Sequence, residues 1–422
     1  MASVVAVERD VEVEGRGNLR VHLHEFCESS SDASRSAGGL PLLVLCVHGA
    51  GYSGRTFAPL AEALLGRLAA STADGGSTTT GTASEAADER PPVWIVAPDL
   101  RAHGATTADD EADLSIETLV KDLERLYETS LSGRFGDVVL VGWSLGAAIA
   151  TKAAATGGLL GSRVVGLVAI DVVEGTAMDA LKSMSMILAA RPKGFDSIDE
   201  AVEWALSSGA VRRRASAENS VPGMLVERDG GRCGGGGDGD DGREQCQPPP
   251  PPPPRQRMGP PPPIPRYPGG VRPNPLGTVG ELGELGAEQR GMPAASTNDK
   301  NDKNDKNAGA RRYKYTWRVA LERTEPFWKG WFMGLSQAFL DVAAPKMLLL
   351  AGHDRLDKQL TIAQMQGKFQ MAVVHHAGHA IHEDQPEAVA EKIDAFLRRY
   401  KLLEGGRGVP FSAGCSIGPL YI

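Results

Sequence analysis

Hydrophobic positions along the chain change their spacing from alternating to continuous to helical, and the order of those changes predicts a fold class. Near the start, Val11 and Val13 stand between acids, and Leu19, Val21 and Leu23 alternate with Arg20, His22 and His24. A period of two predicts half-exposed strands forming an antiparallel pair at a sheet edge, with His22 and His24 on the solvent face. Leu42–Val47, Val93–Ala97, Val138–Val141 and Val164–Ile170 are continuously apolar instead. Such runs suit interior strands covered on both faces. Between them, Ile116, Leu119, Val120, Leu123, Leu126 and Tyr127 recur at helical spacing, and an alanine-rich helix follows residue 144. Strands alternating with helices predict an α/β protein with a mostly parallel central sheet and helices on both faces.

After Asp171 the pattern changes. Met178, Leu181, Met184 and Leu188, then Ala201, Val202, Ala205 and Leu206, predict helices inserted as a cap over residues 175–224. An aromatic segment runs from Tyr313 through Trp317, Phe327, Trp328, Trp331 and Phe332, with three of the six tryptophans. It reads as a helix packed on the core, as an aromatic wall on a substrate or partner groove, or as both. Strands at Lys346–Ala351 and Gln370–Val374 and a closing helix, Pro386–Leu402, end the pattern.

Composition narrows the picture. Residues 70–89 and 225–310 are rich in Gly, Pro, Ser, Thr and charge, with proline runs at Pro248–Pro254 and Pro260–Pro263. Such segments cannot bury enough apolar surface to offset chain entropy, so disorder is expected in both. The proline-rich insert is expected to act as a spacer. With the tail 404–422 also set aside, roughly 300 residues remain, one α/β domain over 11–403. The net charge of −8 argues against a nucleic-acid binder. Five cysteines without a pattern favour a reducing compartment. Neither a signal peptide nor an apolar run of membrane-spanning length is visible, so a soluble monomer of the cytoplasm, the nucleus or both is expected.

Candidate chemistry centres on Gly142-Trp143-Ser144-Leu145-Gly146, placed between a β-branched strand and a helix. That is the context of a nucleophile elbow, in which a strained turn presents the serine hydroxyl. The bare Gly-x-Ser-x-Gly pattern arises by chance about 0.4 times in a chain this rich in glycine. A second match, Gly414-Cys415-Ser416-Ile417-Gly418, lacks a feeding strand, meets Pro419 at once and has no histidine after it. Context therefore selects Ser144 as the nucleophile.

A serine hydroxyl needs a base, and the base needs a group to orient it. His379, in the loop after the last strand, is the candidate base, and the order serine, acid, histidine is that of α/β-hydrolases. Asp171 and Asp354 each follow a strand, and the residues alone leave both open as the acid. The oxyanion hole is expected from the backbone N–H groups of Leu145 and Ala50. The cluster His375, His376, His379 and His382 lies in a loop without a His-Glu-x-x-His motif, so no metal and no cofactor is expected. His382, Glu383 and Asp384 are expected to open the final helix.

Longer stretches carry a resemblance. Ile170–Leu181, Tyr315-Thr316-Trp317-Arg318, and Leu356-Asp357-Lys358 through Gln364–Gln370 are similar to the protein phosphatase methylesterases, a family of α/β-hydrolases. Asp99-Leu100-Arg101 with His103-Gly104, and Gly378-His379-Ala380 with His382-Glu383-Asp384, support it. The resemblance implies an α/β-hydrolase fold and a triad of Ser144, Asp171 and His379, and so favours Asp171 as the acid. It implies a substrate as well: the methyl-esterified C-terminal leucine of the protein phosphatase 2A catalytic subunit, whose tail and body the cap and aromatic segment would bind. One departure stands out, because the family usually carries histidine where this chain has Trp143. A bulky residue there is expected to reshape the pocket and leave the chemistry in place. Other readings are a general esterase for small acyl esters and a non-catalytic phosphatase-binding protein of the same fold.

Overall fold

The computed structural model describes residues 4–28, 40–73, 91–228, 313–352 and 356–404. Their strands are β1 (Val4–Glu12), β2 (Arg20–Glu28), β3 (Leu42–Val47), β4 (Val93–Pro98), β5 (Val138–Trp143), β6 (Val164–Ile170), β7 (Leu225–Glu227), β8 (Tyr315–Trp317), β9 (Lys346–Leu350) and β10 (Gln370–Val373). Eight of them form one sheet in the order β1-β2-β4-β3-β5-β6-β9-β10. Pairing is antiparallel from β1 through β2 to β4 and parallel from β4 to β10. This is the predicted α/β architecture, with the period-two strands at one edge.

Helices cover both faces. In chain order they are α1 (Ala58–Ala73), α2 (Ile116–Leu126), α3 (Leu145–Ala155), α4 (Leu159–Arg163), α5 (Glu174–Ala189), α6 (Ile198–Ser208), α7 (Arg214–Ser220), α8 (Glu325–Phe332), α9 (Leu335–Asp341), α10 (Lys358–Met365), α11 (Ile381–Asp384) and α12 (Pro386–Arg399). Strand β5 shows how two cores arise from one strand. Val138 and Leu140 join a cluster with α2, α3 and α8, whereas Val139, Val141 and Trp143 join one with α1 and α12. Alternating Cβ directions send neighbouring residues to opposite faces, so a fully apolar strand is what a doubly covered sheet requires.

Three expectations need correction. His24 is not on a solvent face: it is 4% exposed. That face of β2 is covered at Gly54, where a Cβ would stand 2.6 Å from the His24 ring. Residues 225–227, assigned to the disordered insert, form β7 and pair antiparallel with β8, Leu225 opposite Trp317. Helix α1 continues to Ala73, past the expected start of the low-complexity loop at residue 70. The decoy motif at 414–418 and nearly all of the proline-rich insert lie outside the described residues.

One buried ion cluster ties the edge hairpin to the loop after β4. Asp122 on α2 accepts hydrogen bonds from Arg101 Nε at 2.7 Å and Nη2 at 2.9 Å, and from Arg16 Nε at 2.6 Å. Arg101 is 6% exposed and also donates to the Asp110 carbonyl at 2.6 Å. Removing the carboxylate leaves a buried guanidinium without its counter-ion. We predict that Asp122→Ala lowers unfolding free energy by about 3–5 kcal/mol in urea titrations; a loss under about 1 kcal/mol would contradict the cluster's role.

Candidate active site

Strand β5 turns into α3 through Ser144, whose φ of 54° and ψ of −122° lie in a region that costs a non-glycine residue about 1–3 kcal/mol. Close packing holds it there. A Cβ on Gly142 would stand 2.4 Å from Ala147 Cα, and one on Gly146 would stand 2.0 Å from the Val47 carbonyl oxygen. With those methyl groups absent, α3 lies directly against β3 and β5. The first N–H groups of the helix have no partner within it and carry its positive dipole end, so they favour negative charge beside Ser144.

Asp171 follows β6 and is likewise held at positive φ, 50°. Its Oδ2 lies 2.8 Å from His379 Nδ1, and its Oδ1 accepts the Ala351 N–H at 3.1 Å. The Asp171 side chain is fully buried, and that of His379 is 16% exposed. With Nδ1 held by the carboxylate, Nε2 is the ring nitrogen left for proton transfer. Asp354 lies outside the described residues. The structure thus brings Ser144, Asp171 and His379 to one cavity at the carboxyl ends of the parallel strands.

The loop bearing His379 is held by residues whose part was not visible in the sequence. Asp384 accepts N–H groups from Gly378 and Arg212, both at 2.7 Å. Trp143 donates its indole N–H to the His379 carbonyl at 2.8 Å. Its ring packs edge-on to Tyr52 and against His382. The indole is 1% exposed, so the residue beside the nucleophile supports the histidine loop from beneath as well as lining the cavity. His382 and Glu383 lie in the short helix α11, just ahead of α12. Both are fully buried and meet Thr56 Oγ1, His382 through Nε2 at 2.9 Å and Glu383 through its carboxylate. His375 and His376 are exposed, away from this buried pair.

A second lattice fixes the loop after β3. His48 Nε2 accepts the Leu100 N–H at 3.0 Å while Nδ1 meets the Gly49 carbonyl at 2.8 Å. His103 Nε2 accepts the Gly51 N–H at 2.9 Å, and its Nδ1 meets the Arg101 carbonyl at 2.7 Å. Ala50 lies between these anchored neighbours, and Ala50 and Leu145 both border the cavity at Ser144. Asp99 closes the lattice, accepting from Gly54 N at 2.7 Å and Ala105 N at 2.8 Å. Burial alone would raise its pKa, but the His24 hydrogen bond, the two nearby rings and the Ala105 N–H outweigh that, and it falls.

The cavity measures about 110 Å³ and is mostly apolar, walled by Ala177, Leu181 and Met184 of α5 and by Trp328, Trp331 and Phe332 of α8. The aromatic segment thus packs on the core and also lines the cavity. The Trp331 indole is buried and donates to the Leu114 carbonyl at 2.7 Å, yet the ring lines the cavity. The Tyr-Thr-Trp-Arg stretch is scaffolding: Arg318 reaches both oxygens of Glu111 at 2.7 and 2.8 Å, and Trp317 donates to the Pro192 carbonyl.

Residues 44–392 match the alpha/beta hydrolase family. Solved structures agree on the fold alone: E-2-(acetamidomethylene)succinate hydrolase superposes with a TM-score of 0.55 at 17% identity, over 93% of this chain and 100% of that one. Protein phosphatase methylesterase 1 of Mus musculus and that of Homo sapiens are each 36% identical over 399 residues, 94% of this chain and 83% of theirs. The chain belongs to the protein phosphatase methylesterase family. A probable methylesterase of Caenorhabditis elegans is 32% identical over 85% of this chain and 69% of its own length. As a family member, the chain is a carboxylic ester hydrolase. None of the described helices is long and apolar enough to cross a membrane.

Burial around the site has a consequence for pH. It pulls the pKa of His48 down to about 4 and those of His103 and His382 to about 3. The three rings are neutral in the folded methylesterase, whereas in the unfolded chain they take up protons near pH 6.5. Their stabilisation is complete above about pH 6.5 and is lost as pH falls toward 4 and then 3. Glu383, raised by burial to about 8, and Asp384, also raised by burial, act the opposite way, two groups against three. We predict a lower calorimetric midpoint at about pH 5 than at about pH 7; equal midpoints would contradict the neutral, buried rings.

Proposed function

We propose that this chain hydrolyses the methyl ester on the C-terminal leucine of the protein phosphatase 2A catalytic subunit. Ser144 is the nucleophile, His379 the general base and acid, and Asp171 the group that orients His379. Ser144 Oγ attacks the ester carbonyl as His379 Nε2 takes its proton. The tetrahedral oxyanion sits between the N–H groups of Ala50 and Leu145, at the dipole end of α3. His379 returns the proton to the departing methoxide, methanol leaves, and the leucyl carbonyl stays on Ser144. Water then attacks through the same base, freeing the carboxylate and the serine.

The observation that carries this reading is the Asp171–His379 pair at 2.8 Å sharing one apolar cavity with a strained Ser144. That wall suits a leucine side chain, with the ester at Ser144 and the rest of the tail leaving along α5. Trp143 shapes the floor without supplying or removing a proton. The reading places the enzyme, as a monomer, in the cytoplasm, the nucleus or both, where its phosphatase is reached.

Demethylation of purified methylated phosphatase tests it, followed with an antibody specific for the methylated tail. Ser144→Ala should abolish turnover and Asp171→Asn should lower kcat by about 10⁴. Hydrolysis of short p-nitrophenyl esters without demethylation would mark a general esterase. Binding of the phosphatase with no turnover of either would mark a non-catalytic partner.

A further inference from the structure

The antiparallel register of β1 and β2 sets Glu8 opposite His24 and Asp10 opposite His22. Residues 22 and 24 are two apart on one strand and face the same side. His24 Nδ1 lies 3.2 Å from Glu8 Oε1, and His22 Nε2 lies 3.7 Å from Glu8 Oε2. Ligand atoms of the three residues all fall within 4.8 Å of one another.

Each imidazole is also held from behind. His22 Nδ1 is 2.7 Å from Asp10 Oδ1, and His24 Nε2 is 3.1 Å from Asp99 Oδ1. In the tautomers that donate to Asp10 and Asp99, the opposite ring nitrogens turn their lone pairs toward Glu8. Between those nitrogens and the Glu8 carboxylate stands a place for one cation, a proton or a metal ion. A carboxylate behind the imidazole is the arrangement that orients metal-binding histidines through the opposite nitrogen, and here it occurs twice. Two guanidiniums approach from outside, Arg20 Nη2 at 3.2 Å from Asp10 Oδ2 and Arg55 Nη1 at 4.0 Å from Glu8 Oε1. They offset part of the charge of Glu8, Asp10 and Asp99 without entering the space between the rings.

We propose that Glu8, His22 and His24 form a binding site for a divalent transition-metal ion of the zinc class, with its fourth position open to water. Two imidazoles and one carboxylate suit zinc, whereas magnesium and calcium prefer oxygen alone. Tetrahedral ligands at zinc distances stand roughly 3.3 Å apart, so closure asks for movements of about an ångström. Glu8, at 52% side-chain exposure, and His22, at 16%, can supply them, while His24 at 5% is the fixed point. An ion there would link the edge strand, through His24 and Asp99, to the Gly54 and Ala105 backbone that Asp99 holds. The site departs from the expectation of no metal drawn from the sequence, and it is separate from Ser144, so neither reading depends on the other.

The test is calorimetric titration of the full chain with Zn²⁺, with Co²⁺ as an absorbing substitute. One equivalent should bind, with the intense visible bands of tetrahedral Co²⁺. Glu8→Gln, a change at an exposed position, and His22→Ala should each weaken binding at least about tenfold, and Asp10→Asn roughly tenfold to a hundredfold. Absence of binding at micromolar Zn²⁺ would leave protons as the only cations on the rings and overturn the proposal. Affinity unchanged in both Glu8→Gln and His22→Ala would place the ion elsewhere and overturn it as well.

Discussion

The contact of α3 with β3 and β5 is the constraint on which the site depends. A Cβ on Gly142 would stand 2.4 Å from Ala147 Cα, and one on Gly146 2.0 Å from the Val47 carbonyl oxygen, closer than a side chain can come. A chain leaving a parallel strand and entering a helix that close has one way to turn, and Ser144 carries the turn at φ 54°. Strain of this size persists only where surrounding packing over-determines it. Here the alternating faces of β5 supply that packing from both cores.

Around this rigid point the polar residues are arranged in two shells of neutral or paired groups. His48 and His103 each use both ring nitrogens on backbone atoms of the loops after β3 and β4, so the Gly49–Gly51 turn cannot drift. Asp384 and Trp143 do the same for the loop carrying His379. Hydrogen-bond donors that are fixed before the substrate arrives need no reorganisation as charge develops, which is where an esterase site gains most. Trp143 keeps a polar hold on that loop through its indole N–H.

Features that rest on local spacing were legible in the sequence. Alternation marked the edge pair, continuous apolar runs marked the interior strands, and strand-turn-helix context separated Ser144 from the match at residues 414–418. The choice of Asp171 over Asp354 came from family resemblance, because both follow strands and spacing does not say which loop reaches His379. His24 was illegible because periodicity reports which residues share a face of a strand and not which distant loop covers that face, here the one at Gly54. Arg318, Asp384 and the buried His382–Glu383 pair were illegible for a related reason. Each acts through contacts with segments far away in the chain, such as Glu111, Arg212 and Thr56.

The proposed reactive group is one strained serine, Ser144, activated through a histidine that Asp171 holds. Labelling with a fluorophosphonate probe, followed by mass spectrometry of the modified peptide, addresses it most directly. A single adduct on Ser144 is predicted, formed far more slowly in Asp171→Asn and absent in Ser144→Ala. An adduct on another residue, or labelling of Ser144→Ala at the wild-type rate, would mean that Ser144 is not the reactive group.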